Sequence, residues 1–212
     1  KFNIKGCSVS MPFKEKIIKF LDLKDRSTIK TNVANTLICK KGIIKGYNTD
    51  YYAIKKIIKK IKLNKNDSIL LLGNGGTAKT IYEFIKSIKI KKIYLCARNI
   101  SKFRNWNKSK NSLTYRWNKR NELKASLLIN ATPIGMKNKS LPVKYEKIKE
   151  FKSILDLVIE NKSSFEKIAK KNKVKFYSGL EFSFYQACKQ FEIYTSKKIK
   201  NRLIKSALGY KF

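Results

Sequence analysis

The stretch SILLLGNGGTA, residues 68–78, decides the fold of this chain. Ser68 to Leu72, with four consecutive apolar residues, is typical of a short strand buried on both faces, and the glycines that follow predict a tight turn. The segment from Thr77 to Ile88 predicts a helix, and Lys92 to Ala97 predicts a second strand. Residues 68–97 therefore form one strand–helix–strand unit, the building block of a parallel sheet.

The same alternation continues towards the C-terminus. Helical stretches lie between several of the further predicted strands, at residues 112–115, 127–129, 154–158 and 174–177. This order predicts an α/β fold whose parallel sheet is covered by helices on both faces. From Gly179 onward the chain is predicted to be helical.

The N-terminal part has a different pattern. It predicts a short helix at residues 15–21, a hairpin made of strands 36–39 and 43–45, and a helix from Thr49 to about Leu63. We expect three segments: a small first domain at residues 1–50, a Rossmann-like domain at 51–178, and C-terminal helices at 179–212 that return to the first domain.

The chain carries 50 basic and 14 acidic residues among 212, a formal net charge of +36. Such a charge can indicate a nucleic-acid partner. Here, however, the lysines are spread over the whole chain beside many residues with AT-rich codons, and only six of the basic residues are arginine. We therefore attribute the charge to composition and expect no specific nucleic-acid partner, although weak, salt-sensitive binding to polyanions would follow.

Other features of the composition exclude whole classes of chemistry. The chain has no histidine, so acid–base work falls to Lys, Asp, Glu, Tyr or Cys. Its cysteines are scattered singly, which predicts reduced thiols and neither a disulfide framework nor a zinc site: Cys7, Cys39, Cys96 and Cys188. With no apolar run of membrane-spanning length and no signal-peptide layout, we expect a cytoplasmic protein without a membrane partner.

The glycine turn fits a fingerprint for dinucleotide binding. Gly73-x-Gly75-x-x-Ala78 lies between a strand and a helix, which is the context that gives the pattern its meaning. We predict that the backbone of this turn and the start of the next helix bind a pyrophosphate: Gly73, Asn74, Gly75, Gly76, Thr77 and Ala78. The alternative is a simple strand-to-helix turn that needs glycine for a positive φ.

The end of the second strand predicts which dinucleotide is bound. A site for NAD usually has Asp or Glu there, whereas this strand ends in Ala97-Arg98-Asn99, with Lys102 close behind. A guanidinium can bind a ribose 2′-phosphate through two hydrogen bonds, so Arg98, Asn99 and Lys102 predict NADP. The alternative is that Arg98 is one more solvated cation.

Several short motifs together resemble one family, the shikimate dehydrogenases. They cover nearly the whole chain in the family's order: Gly6-Cys7-Ser8-Val9-Ser10-Met11-Pro12-Phe13-Lys14-Glu15, Ala34-Asn35-Thr36-Leu37, Gly46-Tyr47-Asn48-Thr49-Asp50, the turn at 73–78, Ile129-Asn130-Ala131-Thr132-Pro133-Ile134-Gly135-Met136, and Gly179 with Gln186-Ala187. The cysteine–serine form of the first motif and Tyr51 after Asp50 are closer to the shikimate-dehydrogenase-like paralogues.

The resemblance implies an NADP-dependent enzyme that interconverts 3-dehydroshikimate and shikimate, with residues 1–50 as part of a substrate-binding domain. It implies that Lys14 and Asp50 are the catalytic pair, and that Asp50 also contacts the substrate. Further substrate contacts are implied for Ser10, Asn35 and Gln186, and further cofactor contacts for Thr132 and Gly179. The implied partner is a small molecule, bound by a monomer or homodimer.

The chemistry suits these residue types. Reduction of a ketone by hydride builds negative charge on oxygen, and a lysine can supply both a positive charge and a proton there. A carboxylate beside the lysine fixes its position. Taken alone, Lys14 would be an ordinary solvated lysine on a helix, and only its companions single it out.

Three departures from the family keep alternatives open. The chain starts at Lys1, without the family's N-terminal segment and its serine pair, so we expect an N-terminally truncated form. Ile159 replaces a tyrosine and Phe182 a methionine. The alternatives are a shikimate-dehydrogenase-like oxidoreductase that acts on another polyol acid, and a basic nucleic-acid-binding protein that has lost catalysis.

Overall fold

The computed structural model describes residues 4–106, 109–160, 162–198 and 200–207 of the chain. These residues cluster into two compact units. One consists of the chain up to Lys56 together with the residues from Glu181 onward, and the other is Ile57–Leu180. The predicted helical segment at 179–212 contains residues 208–212, which lie outside the described residues.

The strands are β1 (Gly6–Ser8), β2 (Leu23–Lys24), β3 (Thr36–Lys40), β4 (Ile43–Tyr47), β5 (Ser68–Leu72), β6 (Lys92–Ala97), β7 (Ser112–Arg116), β8 (Leu127–Asn130), β9 (Ser153–Asp156) and β10 (Lys175–Ser178). The α-helices are α1 (Arg26–Thr31), α2 (Thr49–Ile61), α3 (Gly76–Ile85), α4 (Tyr145–Ile148), α5 (Ser164–Lys171), α6 (Gly179–Thr195) and α7 (Asn201–Ala207). Short 3₁₀ helices span Lys16–Phe20, Ile100–Asn105 and Trp117–Asn121.

The larger unit contains a six-stranded sheet in the order β10-β9-β8-β5-β6-β7, and every neighbouring pair in it is parallel. The chain runs outward from β5 through β6 to β7, then returns to β8 on the other side of β5. This is the doubly wound order, and it places a switch point beside the carboxyl end of β5. The predicted Rossmann-like parallel sheet is confirmed, and the glycine turn lies at that switch point.

Apolar burial explains why these strands lie at the centre. Four residues of β5, from Ile69 to Leu72, are fully buried, as are Leu127, Leu128 and Ile129 of β8. Leu70 and Leu72 belong to a core cluster that also contains Phe165 of α5. Because side chains alternate across a strand, Ile69 and Leu71 face the opposite layer. A strand without a polar face can exist only when both faces are covered.

The smaller unit has a mixed four-stranded sheet in the order β1-β3-β4-β2. The predicted hairpin is confirmed: β3 and β4 pair antiparallel through a turn at Lys41-Gly42, where both residues have positive φ. β1, β2 and α1 are absent from the sequence-based prediction because they are short and largely polar. The 3₁₀ helix Lys16–Phe20 packs against this sheet through a small core cluster of Ile18, Ala34 and Leu37.

None of the helices within the described ranges combines the length and the apolar character needed to cross a membrane. The four cysteines are free thiols, with Cys96 and Cys188 buried. Burial raises the pKa of Cys96 to about 11, so this thiol stays protonated and unreactive at neutral pH.

Two glycines of the turn differ in what they tolerate, and this gives a matched pair of variants. Gly73 has φ +110°, and a Cβ there would lie 2.7 Å from the carbonyl oxygen of Ala131, whereas a Cβ on Gly75 would meet nothing within 4 Å. We expect Gly73→Ala to lower the free energy of unfolding by about 2–4 kcal/mol, because it combines strain with a backbone clash. Gly75→Ala should lower it by no more than about 1 kcal/mol, because the side chain fits and the only cost is that alanine caps α3 less well than glycine. Urea denaturation checks both values, and equal losses would contradict this account of Gly73.

Candidate active site

Lys14 and Asp50 form an ion pair in the smaller unit. Lys14 Nζ lies 2.8 Å from Asp50 Oδ2, and the exposed fractions of the two side chains are 18% and 3%. Asp50 lies in the first turn of α2, where the helix dipole favours a negative charge. A buried carboxylate needs a fixed positive partner, so the position of Asp50 also fixes the position of the ammonium group.

Local backbone contacts explain why Lys14 lies there. It belongs to a turn that precedes the 3₁₀ helix Lys16–Phe20, and its carbonyl oxygen accepts a hydrogen bond of 2.9 Å from the N–H of Ala34. Ala34 directly precedes Asn35, whose carbonyl oxygen accepts a 2.8 Å hydrogen bond from the N–H of Val9. The first two sequence motifs are thus joined through their main chains before any side chain is considered.

Asn35 is the buried centre of the site, with 3% of its surface exposed. Its Nδ2 donates to Asp50 Oδ1 at 2.9 Å. Its Oδ1 accepts from the Thr49 N–H at 2.9 Å, from the Thr49 hydroxyl at 3.1 Å and from the Thr36 hydroxyl at 2.9 Å. Because a backbone N–H can only donate, the amide orientation of Asn35 is determined. The contact between Asn35 and a substrate stays a prediction, and the bond that the structure shows is the one that holds Asp50.

Gln186 joins this network and Ser10 does not. Gln186 lies on α6, and its Nε2 donates to the Thr49 hydroxyl at 3.1 Å and to Gln190 Oε1 at 3.2 Å. Ser10 is exposed, and its hydroxyl contacts the carbonyl oxygen of Met11 at 3.5 Å. The structure therefore brings Lys14, Asp50, Asn35 and Gln186 together, while the assignment of Ser10 to a substrate stays a prediction.

Sequence reasoning missed three members of the network: Thr36, Thr49 and Gln190. Thr36 and Thr49 lie inside two of the quoted motifs, although the residue types alone assign them no role, and Gln190 lies outside every quoted motif. The spacing of Gln186 and Gln190 does carry one, because residues four apart lie on the same face of a helix. Two glutamines on one face of a helix that otherwise has many aromatic residues could have been marked.

This arrangement can deliver a proton. An ammonium group that is held by a buried carboxylate and partly open to solvent can donate to an oxygen that gains negative charge. Within the described ranges, no group of three or more Cys, Asp or Glu side chains is placed to hold a metal ion.

The glycine turn of the larger unit provides space for a phosphate. The N–H of Gly73 donates to the carbonyl oxygen of Cys96 at 2.9 Å, and Asn74 Nδ2 donates to that of Asn99 at 2.6 Å. These bonds tie the turn after β5 to the end of β6. Gly75 directly precedes α3, and the open space at its Cα leaves the start of that helix accessible. The N-terminus of a helix favours an anion, so this turn fits a pyrophosphate.

A basic cavity lies beyond the carboxyl ends of β6 and β7. It has a volume of about 540 Å³, and its lining includes Arg98, Asn99, Arg104 and Arg116. Three of the six arginines of the chain therefore meet at one cavity. Lys102 lies in the adjacent 3₁₀ helix and is exposed, but it is not part of this lining. Sequence reasoning identified Arg98 and missed Arg104 and Arg116, although the scarcity of arginine was a signal that could have found them.

Thr132 is held by residues at the ends of neighbouring strands. Its N–H and its hydroxyl both donate to Asn130 Oδ1, at 3.2 and 2.6 Å, and Asn130 Nδ2 donates to Asp156 Oδ1 at 2.8 Å. Burial raises the pKa of Asp156 to about 6, against the effect of its hydrogen bonds from Asn130 and the N–H of Val158. Asn130 thus links the loop that contains Thr132 to a buried carboxyl group whose pKa is raised to about 6.

Gly179 is explained by a close backbone approach. A Cβ there would lie 2.6 Å from the carbonyl oxygen of Leu157, so no larger residue fits at the start of α6 without a shift. This packing accounts for the glycine by itself. The contact between Gly179 and a cofactor stays a prediction.

Comparison with known proteins identifies shikimate dehydrogenases as relatives of this chain. The chain is 33% identical over 204 residues to the shikimate dehydrogenase (NADP(+)) of Clostridium beijerinckii, an alignment that covers 94% of this chain and 75% of the relative. A solved shikimate 5-dehydrogenase-like protein is 32% identical with a TM-score of 0.84, over 97% of this chain and 78% of that one. A shikimate dehydrogenase solved in complex with NADP+ is 27% identical with a TM-score of 0.81, over 97% and 76%. Comparison with models of protein families found no match.

The raised pKa of Asp156 predicts a pH effect on stability. The carboxyl keeps its proton up to about pH 6 in the folded chain, against 3.8 for its ordinary value, so the folded state binds more protons between these limits. The stability from this group is therefore complete below about pH 4 and is lost as the pH rises through 6, by on the order of 3 kcal/mol.

Asp156→Asn removes this titration and retains an acceptor for Asn130. Urea denaturation of both proteins at about pH 4 and pH 7 should show that the wild type loses stability on going to pH 7 relative to the variant. A wild type and a variant with the same pH dependence would show that Asp156 titrates as in the unfolded chain.

Proposed function

The chain belongs to the shikimate dehydrogenase family, and we propose that it is the NADP-dependent oxidoreductase that reduces 3-dehydroshikimate to shikimate in aromatic amino-acid biosynthesis. The observation that carries this proposal is the Lys14–Asp50 ion pair of 2.8 Å, held in a buried hydrogen-bond network by Asn35. The family motifs that carry these three residues are separate in the chain and meet in the fold.

The proposed reaction assigns each group a role. NADPH, when bound, supplies the hydride that adds to the carbonyl carbon of the substrate. Lys14 donates a hydrogen bond and then its proton to the carbonyl oxygen, which becomes the new hydroxyl. Asp50 keeps the ammonium group in place and can accept a hydrogen bond from a substrate hydroxyl. In the direction of oxidation, the deprotonated Lys14 takes up the proton of that hydroxyl.

The larger unit fits NADP in two respects. The open space at Gly75 allows a pyrophosphate to approach the backbone at the start of α3. The arginine-lined cavity provides positive charge beyond the end of β6, where the ribose of a dinucleotide is read. We propose that Arg98 binds the 2′-phosphate and that Arg116, which comes from the neighbouring strand, binds it from the other side.

We further infer that the protein acts in the cytoplasm, as a monomer or homodimer, and without a specific nucleic-acid partner. The four cysteines are unpaired and scattered singly, which supports an intracellular location. The excess of lysine over arginine supports a compositional origin of the charge.

A second candidate activity is supported by a specific residue. Ile159 is 60% exposed and stands at the position where the family resemblance predicts a tyrosine near the substrate. Loss of that hydroxyl is compatible with reduction of a different polyol acid. Measured NADPH oxidation with 3-dehydroshikimate and with other keto-polyol acids distinguishes the two, since the better substrate has the higher kcat/KM.

The role of Lys14 is tested by Lys14→Met, with Lys16→Met as the matched control. Lys16 lies two residues away and is exposed. We expect Lys14→Met to lower kcat about 10²–10⁴-fold, because the proton donor is lost, while Lys16→Met leaves kcat unchanged. Steady-state oxidation of NADPH measures both. Turnover by Lys14→Met within a few fold of the wild type would remove Lys14 from the mechanism.

The role of Arg116 in cofactor choice is tested by Arg116→Gln beside Arg98→Gln. We expect each variant to weaken NADP binding about 10- to 100-fold and to leave NAD binding nearly unchanged, because only NADP has the 2′-phosphate. Lys92→Gln is the control for loss of one charge, since Lys92 is exposed at the opposite end of β6. Isothermal titration gives the dissociation constants. An unchanged NADP affinity in Arg116→Gln would exclude that residue from the 2′-phosphate site.

A further inference from the structure

Gln190 lies one helical turn beyond Gln186 on α6 and ends a chain of hydrogen bonds that reaches Asp50. We propose that Gln190 is a positioning residue: it fixes the side-chain amide of Gln186, and through Thr36 it supports the hydrogen bonds that hold the Asn35 amide against Asp50. This inference rests on the proposed function, because it takes Lys14 and Asp50 as the catalytic pair and Gln186 as a substrate contact.

The first arm runs through Thr36. Gln190 Nε2 donates to the Thr36 hydroxyl at 2.9 Å and lies 3.4 Å from the carbonyl oxygen of Asn35. A carbonyl oxygen only accepts, so the NH₂ end of Gln190 must face it. The Thr36 hydroxyl has one proton, which it donates to Asn35 Oδ1 at 2.9 Å. With its proton used, Thr36 needs a donor, and Gln190 supplies that donor.

This arm ends at the catalytic pair. With Asn35 Oδ1 held by Thr36 and Thr49, Asn35 Nδ2 is directed at Asp50 Oδ1, which leaves Asp50 Oδ2 to Lys14 Nζ. Every hydrogen bond from Gln190 to Lys14 therefore has a defined donor and acceptor. Removal of Gln190 leaves the buried Thr36 hydroxyl without the donor that it accepts from, which weakens the support for its own hydrogen bond to Asn35 Oδ1.

The second arm runs through Gln186. Its Nε2 donates to Gln190 Oε1 at 3.2 Å and to the Thr49 hydroxyl at 3.1 Å, which uses both protons of the amide. Among the described residues, no donor contacts Gln186 Oε1. By accepting one of these protons, Gln190 orients the Gln186 amide so that its carbonyl oxygen is the atom available to the substrate. That atom accepts hydrogen bonds, so it selects a substrate hydroxyl and disfavours a carboxylate at this point.

Burial makes these orientations matter. Asn35, Thr36 and Thr49 have 3%, 0% and 1% of their surface exposed. A polar group that loses its partner at such a depth is not compensated by water, so one arrangement of the amides is strongly favoured over the flipped ones. Gln190 is half-buried at the edge of this network and supplies both a donor and an acceptor to it.

Gln190→Met tests the proposal, because methionine has a similar length and forms none of these hydrogen bonds. We expect the KM for 3-dehydroshikimate to rise roughly three- to tenfold and kcat to fall by a similar factor, with the KM for NADPH unchanged. Lys189→Met is the matched control: it lies next to Gln190 on α6, contacts Glu192 and is outside the network. It should leave all three constants unchanged. Equal constants for Gln190→Met and the wild type would overturn the proposal.

A double-mutant cycle with Thr36→Val separates positioning from general loss of stability. If Gln190 acts through Thr36, the double variant loses little more kcat/KM than the worse single variant, whereas independent effects multiply. The pair Lys189→Met and Thr36→Val should multiply. A multiplicative result for Gln190→Met with Thr36→Val would overturn the first arm.

The role of Gln190 can also be tested by a measurement that needs no enzymatic turnover and therefore does not depend on the proposed function. The side-chain amide signals of Asn35 and Gln186 in ¹H–¹⁵N spectra should shift or broaden in Gln190→Met and stay in place in Lys189→Met. Unchanged signals in Gln190→Met would overturn the positioning role, whatever the activity. If the wild type binds NADP but does not reduce 3-dehydroshikimate, the proposed function fails, and the amide signals alone decide the role of Gln190.

Discussion

The smaller unit depends on the side-chain amide of Asn35. This one group accepts hydrogen bonds at the start of α2 and donates to Asp50, while the main chain of the same residue pairs with Val9 and with Tyr47. An amide can do this because it has both a donor end and an acceptor end, and a backbone N–H at the acceptor end decides which is which. The geometry of Lys14 follows from it, since the ammonium group is placed by the carboxylate that Asn35 holds.

The larger unit depends on a different constraint, the doubly wound parallel sheet. Its central strands are apolar on both faces, so they fold only when helices cover both sides. The order of the strands then leaves their carboxyl ends beside one another, and the glycine turn, Thr132 and Arg98 come from three of those ends. Strand order thus gathers residues that are far apart in the chain.

The charge of the protein and the charge of its candidate cofactor site have separate origins. Lysine is frequent throughout the chain, and most lysines take no part in either site. Arginine is scarce, yet half of the arginines line one cavity. A planar guanidinium binds a phosphate through two fixed hydrogen bonds, which a lysine cannot do, and this difference explains why the rare residue is found where geometry matters.

The sequence by itself determined the parallel α/β fold, because apolar runs and glycine punctuation are local signals; β5 and β6 have the bounds that were predicted. It also indicated the family, because the family motifs can be recognised from residue types and their order without knowledge of any contact. It did not reveal α1 or the two short strands of the small sheet, whose residues are polar and whose pairing is tertiary. Gln190 and Arg116 lie outside the quoted motifs and matter only through residues from distant segments. Thr36 and Thr49 lie inside those motifs, but their roles as hydrogen-bond partners of Asn35 became visible only in the fold. Tertiary structure alone decided which end of the Asn35 side-chain amide faces Asp50, because the direction of a hydrogen bond depends on both partners and these come together only in the folded site.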